Sequence, residues 1–363
     1  MPIQRLTYLD WINSLSNQDI VYKLAYSNIA SINQEFINSE LKGLELGVAY
    51  KQDYNDLTNL IASYFKLETK NIFLDAGASK LNELIMGLGL FSGRYFFVEG
   101  PVYQPLSFTA QRFGNEISFK REENYQIDIE KLGWVIKQYK RISEPKLIVI
   151  TNPHNPSGVY LDENVKNDLV RLVEKNDSYL LCDEVYNYTS DSLFSLSEKV
   201  IATNSLTKVY GCGALRLGWS FCNEKIKKDL EALSAYAPCL SMPSVKIATD
   251  VFKKIDKVVG RYDKITETNY PIVKAWIASE IKTGSIKNCT LPEKTIMLFP
   301  RFGFETDKFV EYLIRQYKTA VVPGSFFGDP YSIRMCFGNI SKDDLKTALI
   351  RLSLAIHDWE FSL

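Results

Sequence analysis

LIVITNPHNPSGVYLDENVKNDLVRLVEKNDSYLLCDEVY (residues 147–186) holds two apolar runs, LIVIT (147–151) and YLLC (179–182), with an amphipathic stretch between them. Each run is short and nearly all apolar, the pattern of a strand covered on both faces. Strand, helix and strand in that order form the repeating unit of a parallel sheet. The first run ends in TNPHNPSG (151–158), where each proline keeps the residue before it extended, so the loop is rigid and irregular. The second ends in DEVY (183–186).

The same alternation extends outward. A helix over Asp53–Phe65 leads to the strand IFLD (72–75), and a second helix opens near Gly77. YFFV (95–98), a helix after Pro101 and EISF (116–119) follow, and VIATNS (200–205) and LGWSF (217–221) come after DEVY. The fold class is therefore α/β. A large domain over 45–245 is expected to carry a mostly parallel seven-stranded sheet between helices. From about residue 244 a long helical stretch runs to Lys282. Short strands then alternate with helices (TIMLF, AVV, IRMCF), ending in an amphipathic helix from Ser341. This part, residues 246–363, forms a smaller α/β domain that residues 1–44 are expected to join.

Composition narrows the partners. The 43 basic and 43 acidic residues of the 363 cancel, and there is no long basic run, which argues against nucleic acid and anionic membranes. No apolar run reaches bilayer length, and the N-terminus lacks a secretory pattern. Six scattered cysteines (182, 212, 222, 239, 289, 336) without a CxxC pair read as reduced thiols of a cytoplasmic protein. With only His154 and His357, far apart, a histidine-based metal site is not expected.

Ligands of such sheets gather where the strands end, and the unusual residues fall there. SLTK (205–208) carries a lysine among small hydroxyl residues with no acid to pair it, and Arg216 follows eight positions later. A lysine becomes a nucleophile when burial and nearby cations lower its pKa. Asp183 follows a dry strand; it is either a helix N-cap or an acid that holds a cofactor's ring nitrogen protonated. The rigid loop fixes Asn155 as a hydrogen-bond donor. AGASK (76–80) opens a helix where free N–H groups attract phosphate, with Ser79 as both cap and phosphate donor. Tyr103, after a proline turn, offers a ring that can stack on a flat ligand. Arg334, in an otherwise apolar strand, matches a carboxylate with its two-pronged guanidinium. Two glycine-rich runs, GCGALR (211–216) and GLGLFSG (87–93), fail the context of a dinucleotide fingerprint; the second is expected within a helix. Together the parts call for a planar, phosphorylated ligand with a basic ring nitrogen and an electrophile for lysine, and pyridoxal 5'-phosphate has these properties.

The set resembles the fold-type I pyridoxal-phosphate enzymes, specifically the class I/II aminotransferase family, over about residues 20–350. The resemblance implies that Lys208 is the Schiff-base lysine and that Asp183 pairs with the pyridinium nitrogen. It implies that Tyr186 and Asn155 donate to the cofactor's phenolic oxygen. Gly77, Ala78, Ser79, Ser205 and Arg216 would hold the phosphate, and Tyr103 would stack on the ring. Arg334 would grip the substrate's α-carboxylate, which Asn155 also touches and Ser27 meets through its backbone. Tyr50 would reach the phosphate of a neighbouring subunit, making the working unit a homodimer with shared active sites. The implied reaction moves an amino group between an L-amino acid and a 2-oxo acid. Motifs of this style also occur in histidinol-phosphate aminotransferase-like members and in threonine-phosphate decarboxylase-like ones, so decarboxylation or β-elimination are the alternatives. Arg261 and Arg301 are candidates to read a second acidic group, and Tyr22, Tyr26 and Tyr236 to favour an aromatic or apolar side chain.

Overall fold

The structure, a computed structural model, describes residues 6–38, 51–139, 146–235 and 240–362. Seven strands make the central sheet: β1 (Ile72–Asp75), β2 (Tyr95–Gly100), β3 (Asn115–Lys120), β4 (Leu147–Thr151), β5 (Tyr179–Asp183), β6 (Val200–Ser205) and β7 (Gly218–Phe221). Their order across the sheet is β1-β7-β6-β5-β4-β2-β3. All neighbours run parallel from β6 to β3, whereas β7 is antiparallel to both β6 and β1. The mostly parallel seven-stranded sheet expected from the apolar runs is present.

Alternate residues of one strand serve opposite faces. Phe97, Ile148, Ile150, Leu180 and Cys182 enter one core with helices Lys51–Phe65, Ile129–Gln138 and Glu163–Lys175. Phe96, Val98, Leu147, Val149 and Leu181 enter the other, against Ala78–Met86, Gln104–Phe113 and Glu224–Ser234. Both faces are dry, which is why β4 and β5 read as continuous apolar runs rather than alternating ones. Each such buried side chain contributes roughly 1.5–3 kcal/mol.

A third core gathers Tyr8–Ala25 with side chains from Val273 to Ile356. Its sheet pairs Ile333–Cys336 with Met297–Leu298 on one side and Val322–Pro323 on the other, both antiparallel. Tyr22–Lys23 pairs in parallel with Thr319–Ala320, tying the N-terminal segment to this core. The helical stretch expected as one piece is two helices, Met242–Lys253 and Ile255–Thr283, separated at Lys254, whose φ of −122° and ψ of 28° are not helical. The second helix joins the cores, with Val258, Val259 and Tyr262 in the first and Val273 and Ile277 in the third. GLGLFSG does not lie within a helix. Ala78–Met86 ends just before it, and its glycines continue as turns, with Gly93 at φ 79°.

Candidate active site

The strand ends of the parallel region converge on one small cavity lined by Tyr103, Thr151, Asn155, Asp183, Val185, Tyr186 and Lys208. All seven come from the strand-end segments singled out in the sequence, and Thr151 and Asp183 are the last residues of β4 and β5. Lys208 follows β6, and its Nζ donates to Ser27 Oγ at 2.9 Å. Burial, and then the charge of Arg334, bring its pKa down to about 8. A desolvated ammonium without a hydrogen-bonded carboxylate is costly, so the neutral amine becomes the major form above about pH 8 rather than near the usual lysine value. Ser27 thus presents its hydroxyl to the lysine, a contact different from the backbone role expected of it.

Asp183 is buried with Oδ2 accepting from Asn82 Nδ2 at 2.9 Å and Oδ1 from the Val185 N–H at 3.2 Å. Burial raises its carboxyl to about 6. No helix follows β5, so the N-cap reading of Asp183 is ruled out. Asn82 had no place in the sequence reading. It sits on the buried face of Ala78–Met86 and accepts from the Thr203 hydroxyl at 2.7 Å, which turns its amide N–H towards Asp183. The signal available was a polar residue among the apolar positions of a helix, which periodicity alone does not interpret.

At the turn after β1, Gly77 has φ 91° and is the N-cap of Ala78–Met86. Ser79 is the second helical residue and exposed, so it is not the cap residue that the sequence suggested; the chain turns one step earlier because only glycine takes this φ freely. Arg216, itself left-handed at φ 47°, reaches over this turn, with Nη2 3.5 Å from the Ala76 carbonyl. A Cβ on Gly77 would stand 3.0 Å from Arg216 Nη2. The free N–H groups of the first helical turn, the guanidinium and Ser205, at the end of β6, therefore share a region. Ser205 is buried, its hydroxyl accepting from the Thr207 N–H at 3.3 Å.

Arg334 is fully buried on its strand. Nη1 donates to Asn155 Oδ1 at 3.2 Å, and Nη2 to the Tyr8 hydroxyl at 2.9 Å and the Ala25 carbonyl at 3.1 Å, leaving Nε without a partner. Tyr8 is a further residue that sequence reading missed, because its helix is remote in sequence and carries no motif. Tyr103 caps the helix Gln104–Phe113 and stands edge-on to Tyr8, with ring centroids 5.7 Å apart. Tyr186 lies in the same wall, its hydroxyl buried without a hydrogen-bond partner. Arg261 is held by the Ala30 carbonyl and Arg301 by Asp329, and neither lines this cavity. Nor do Tyr22 and Tyr26. Tyr50 and Tyr236 lie outside the described residues. Among the described residues, no group of three His, Cys, Asp or Glu side chains is arranged to hold a metal ion, and no helix is long and apolar enough to cross a membrane.

These features fit a phosphorylated pyridine. The Tyr186 hydroxyl, buried without a hydrogen-bond partner, belongs to a residue that lines the cavity together with the acid Asp183. Gly77 leaves beside Arg216 the space that a Cβ would fill. A seven-stranded, mostly parallel sheet with a lysine and a buried acid at its strand ends, and a buried arginine brought beside them by the third core, defines a fold-type I pyridoxal-phosphate enzyme. The model of the family described as aminotransferase class I and II matches residues 30–352, and the chain belongs to that family. Membership makes pyridoxal 5'-phosphate its cofactor. The chain is similar to a histidinol-phosphate aminotransferase of Caldanaerobacter subterraneus subsp. tengcongensis, 26% identical over 242 residues, 64% of this chain and 67% of the relative. It is similar to a capreomycidine synthase of Streptomyces vinaceus, 27% identical, covering 70% of this chain and 67% of that one. A solved PLP-dependent aminotransferase from Streptococcus suis superposes with a TM-score of 0.88 at 22% identity, over 99% of both chains.

Proposed function

We propose that the protein moves the amino group of an L-amino acid to a 2-oxo acid, with Lys208 as the residue to which its pyridoxal phosphate attaches. The observation that carries this reading is one cavity flanked by an amine at about 8, a carboxyl at about 6 and a carboxylate-shaped guanidinium. The cofactor, when bound, supplies a cationic ring that accepts the electrons left when the Cα–H bond breaks. Asp183 carries the negative charge that keeps such a ring nitrogen protonated, and Asn82 holds its carboxylate in place. Tyr186 and Asn155 are the donors for the phenolic oxygen. Gly77, Ala78, Ser79, Ser205 and Arg216 form the phosphate cradle, and Tyr103 covers the ring. Arg334 and Asn155 hold the substrate carboxylate, which fixes the Cα–H towards Lys208. The neutral lysine amine takes that proton and returns it, with Ser27 Oγ as its resting partner.

We take the working unit to be a homodimer in which Tyr50 reaches the phosphate of the neighbouring subunit. Cys182, Cys212, Cys222, Cys289 and Cys336 are free, as a cytoplasmic protein would keep them.

Purified protein loaded with pyridoxal phosphate and given single amino acids tests the reaction. Release of the matching 2-oxo acid, with the cofactor recovered as pyridoxamine 5'-phosphate, is the expected result. Carbon dioxide would instead indicate decarboxylation, and pyruvate with ammonia β-elimination. Lys208→Ala should lower the rate about 100-fold to 10,000-fold, the usual range for a lost proton-transfer group.

A further inference from the structure

Glu99, at the end of β2, and Arg121, just past β3, form an ion pair with both side chains fully buried. Arg121 Nε and Nη2 meet Glu99 Oε2 at 2.7 and 2.5 Å. Burying two charges costs several kcal/mol of desolvation each, so such a pair is weak evidence of a contribution to stability alone. Arg121 Nη1 donates to the Tyr125 carbonyl at 2.7 Å, and the pair's remaining side-chain hydrogen bonds converge on one residue. Glu99 Oε1 accepts from both the N–H and the hydroxyl of Thr151, each at 2.7 Å. Arg121 Nη2 donates to the Thr151 carbonyl at 2.8 Å. The pair thus grips Thr151 by its N–H, its C=O and its side chain.

The hydrogen bonds have a fixed polarity. The Thr151 hydroxyl gives its one proton to Glu99, so its oxygen is left to accept, and it accepts the backbone N–H of Asn155 at 2.9 Å. Asn155 Oδ1 takes the Arg334 Nη1 proton, which leaves the amide nitrogen for the cavity. His154, beside Asn155, is held neutral by burial; its Nε2 donates to the Pro101 carbonyl at 2.8 Å and its Nδ1 accepts from Ser157. The loop after β2 and the loop after β4 are thereby locked together around the same pair.

We propose that Glu99 and Arg121, acting through Thr151, are positioning residues that set the Asn155 amide between Arg334 and the cofactor. This rests on the reading of the site given under "Proposed function". A donor aimed at the cofactor's phenolic oxygen favours the form in which that oxygen carries more negative charge, the form present after the bound chromophore loses its proton. A loosened Asn155 should therefore raise the pH midpoint of the cofactor's absorbance change.

The experiment titrates the absorbance of wild type, Thr151→Val, Thr151→Ser and Arg121→Lys, each loaded with pyridoxal phosphate, and measures pyridoxal phosphate affinity and thermal stability alongside. Thr151→Val is expected to raise the midpoint by about 0.5–1 pH unit and to weaken affinity about 5-fold, the effect of one weakened hydrogen bond. Thr151→Ser keeps the hydroxyl and should match wild type. Arg121→Lys, which keeps the charge but loses the fork, should shift the midpoint in the same direction by less. If Thr151→Val does not fold, the Arg121→Lys titration decides. Variants that melt earlier but titrate as wild type would show a structural role only and overturn the proposal. A wild-type protein that takes up no pyridoxal phosphate would overturn the reading of the site itself, and the proposal with it.

Discussion

Lys208 and Asp183 are displaced from their ordinary values in opposite directions by the same cause. Burial disfavours charge on both, so the lysine falls to about 8 and the aspartate rises to about 6. For Lys208 the consequence can be read in the cofactor-free protein. The unfolded chain keeps this proton up to about 10.5, whereas the folded one loses it near 8. Between those values the unfolded state binds more protons, so stability from this group rises with pH. Thermal unfolding should show the cofactor-free wild type gaining about 2 kcal/mol on Lys208→Met between pH 7 and 9.5. A constant difference between the two would mean that the lysine is solvated. The type of each key residue was legible in the sequence, since an unpaired lysine after an apolar strand and an arginine inside one are both costly unless a ligand answers them. Asn82 and Tyr8 were not legible, because their partners lie 101 and 326 positions away along the chain.

At the scale of elements, the turn from β1 into Ala78–Met86 carries the proposed phosphate cradle, and its backbone conformation shapes it. Gly77 combines φ 91° with a Cβ position 3.0 Å from Arg216 Nη2. Gly77→Ala would therefore strain the turn, at roughly 1–3 kcal/mol, and push the guanidinium away. Its expected effect is a loss of pyridoxal phosphate affinity of about 10-fold or more, with the far-ultraviolet circular dichroism unchanged. Unaltered affinity would separate this turn from the phosphate. The strands themselves were read almost to the residue, because a strand buried on both faces has few polar interruptions. Caps were read less well. A short polar residue after a strand looks the same whether a helix follows, as after Gly77, or an irregular turn, as after Asp183.

For the whole molecule, Arg334 comes from the third core and Asn155 from the central sheet, so the site exists only when the two are packed together. The helix Ile255–Thr283, with side chains in both cores, holds them there. The proposed homodimer predicts sedimentation at twice 41.5 kDa. Tyr50→Phe should then weaken pyridoxal phosphate affinity by about 5-fold to 10-fold, as the loss of one hydrogen bond to a phosphate would. A monomer fully active at all dilutions would refute the shared site.

The sequence by itself determined the α/β class, the parallel sheet and the strand-end loops, because burial on both faces and turn chemistry are local properties of short segments. It also marked Lys208, Asp183, Asn155, Arg216 and Arg334, whose charge or rigidity is expensive in apolar surroundings. Only the tertiary structure decided that Ser27 meets the lysine, that Asn82 orients the acid, and that Glu99 and Arg121 grip Thr151. Those are contacts between segments far apart in the chain, and hydrogen-bond direction is set by the geometry of packed elements.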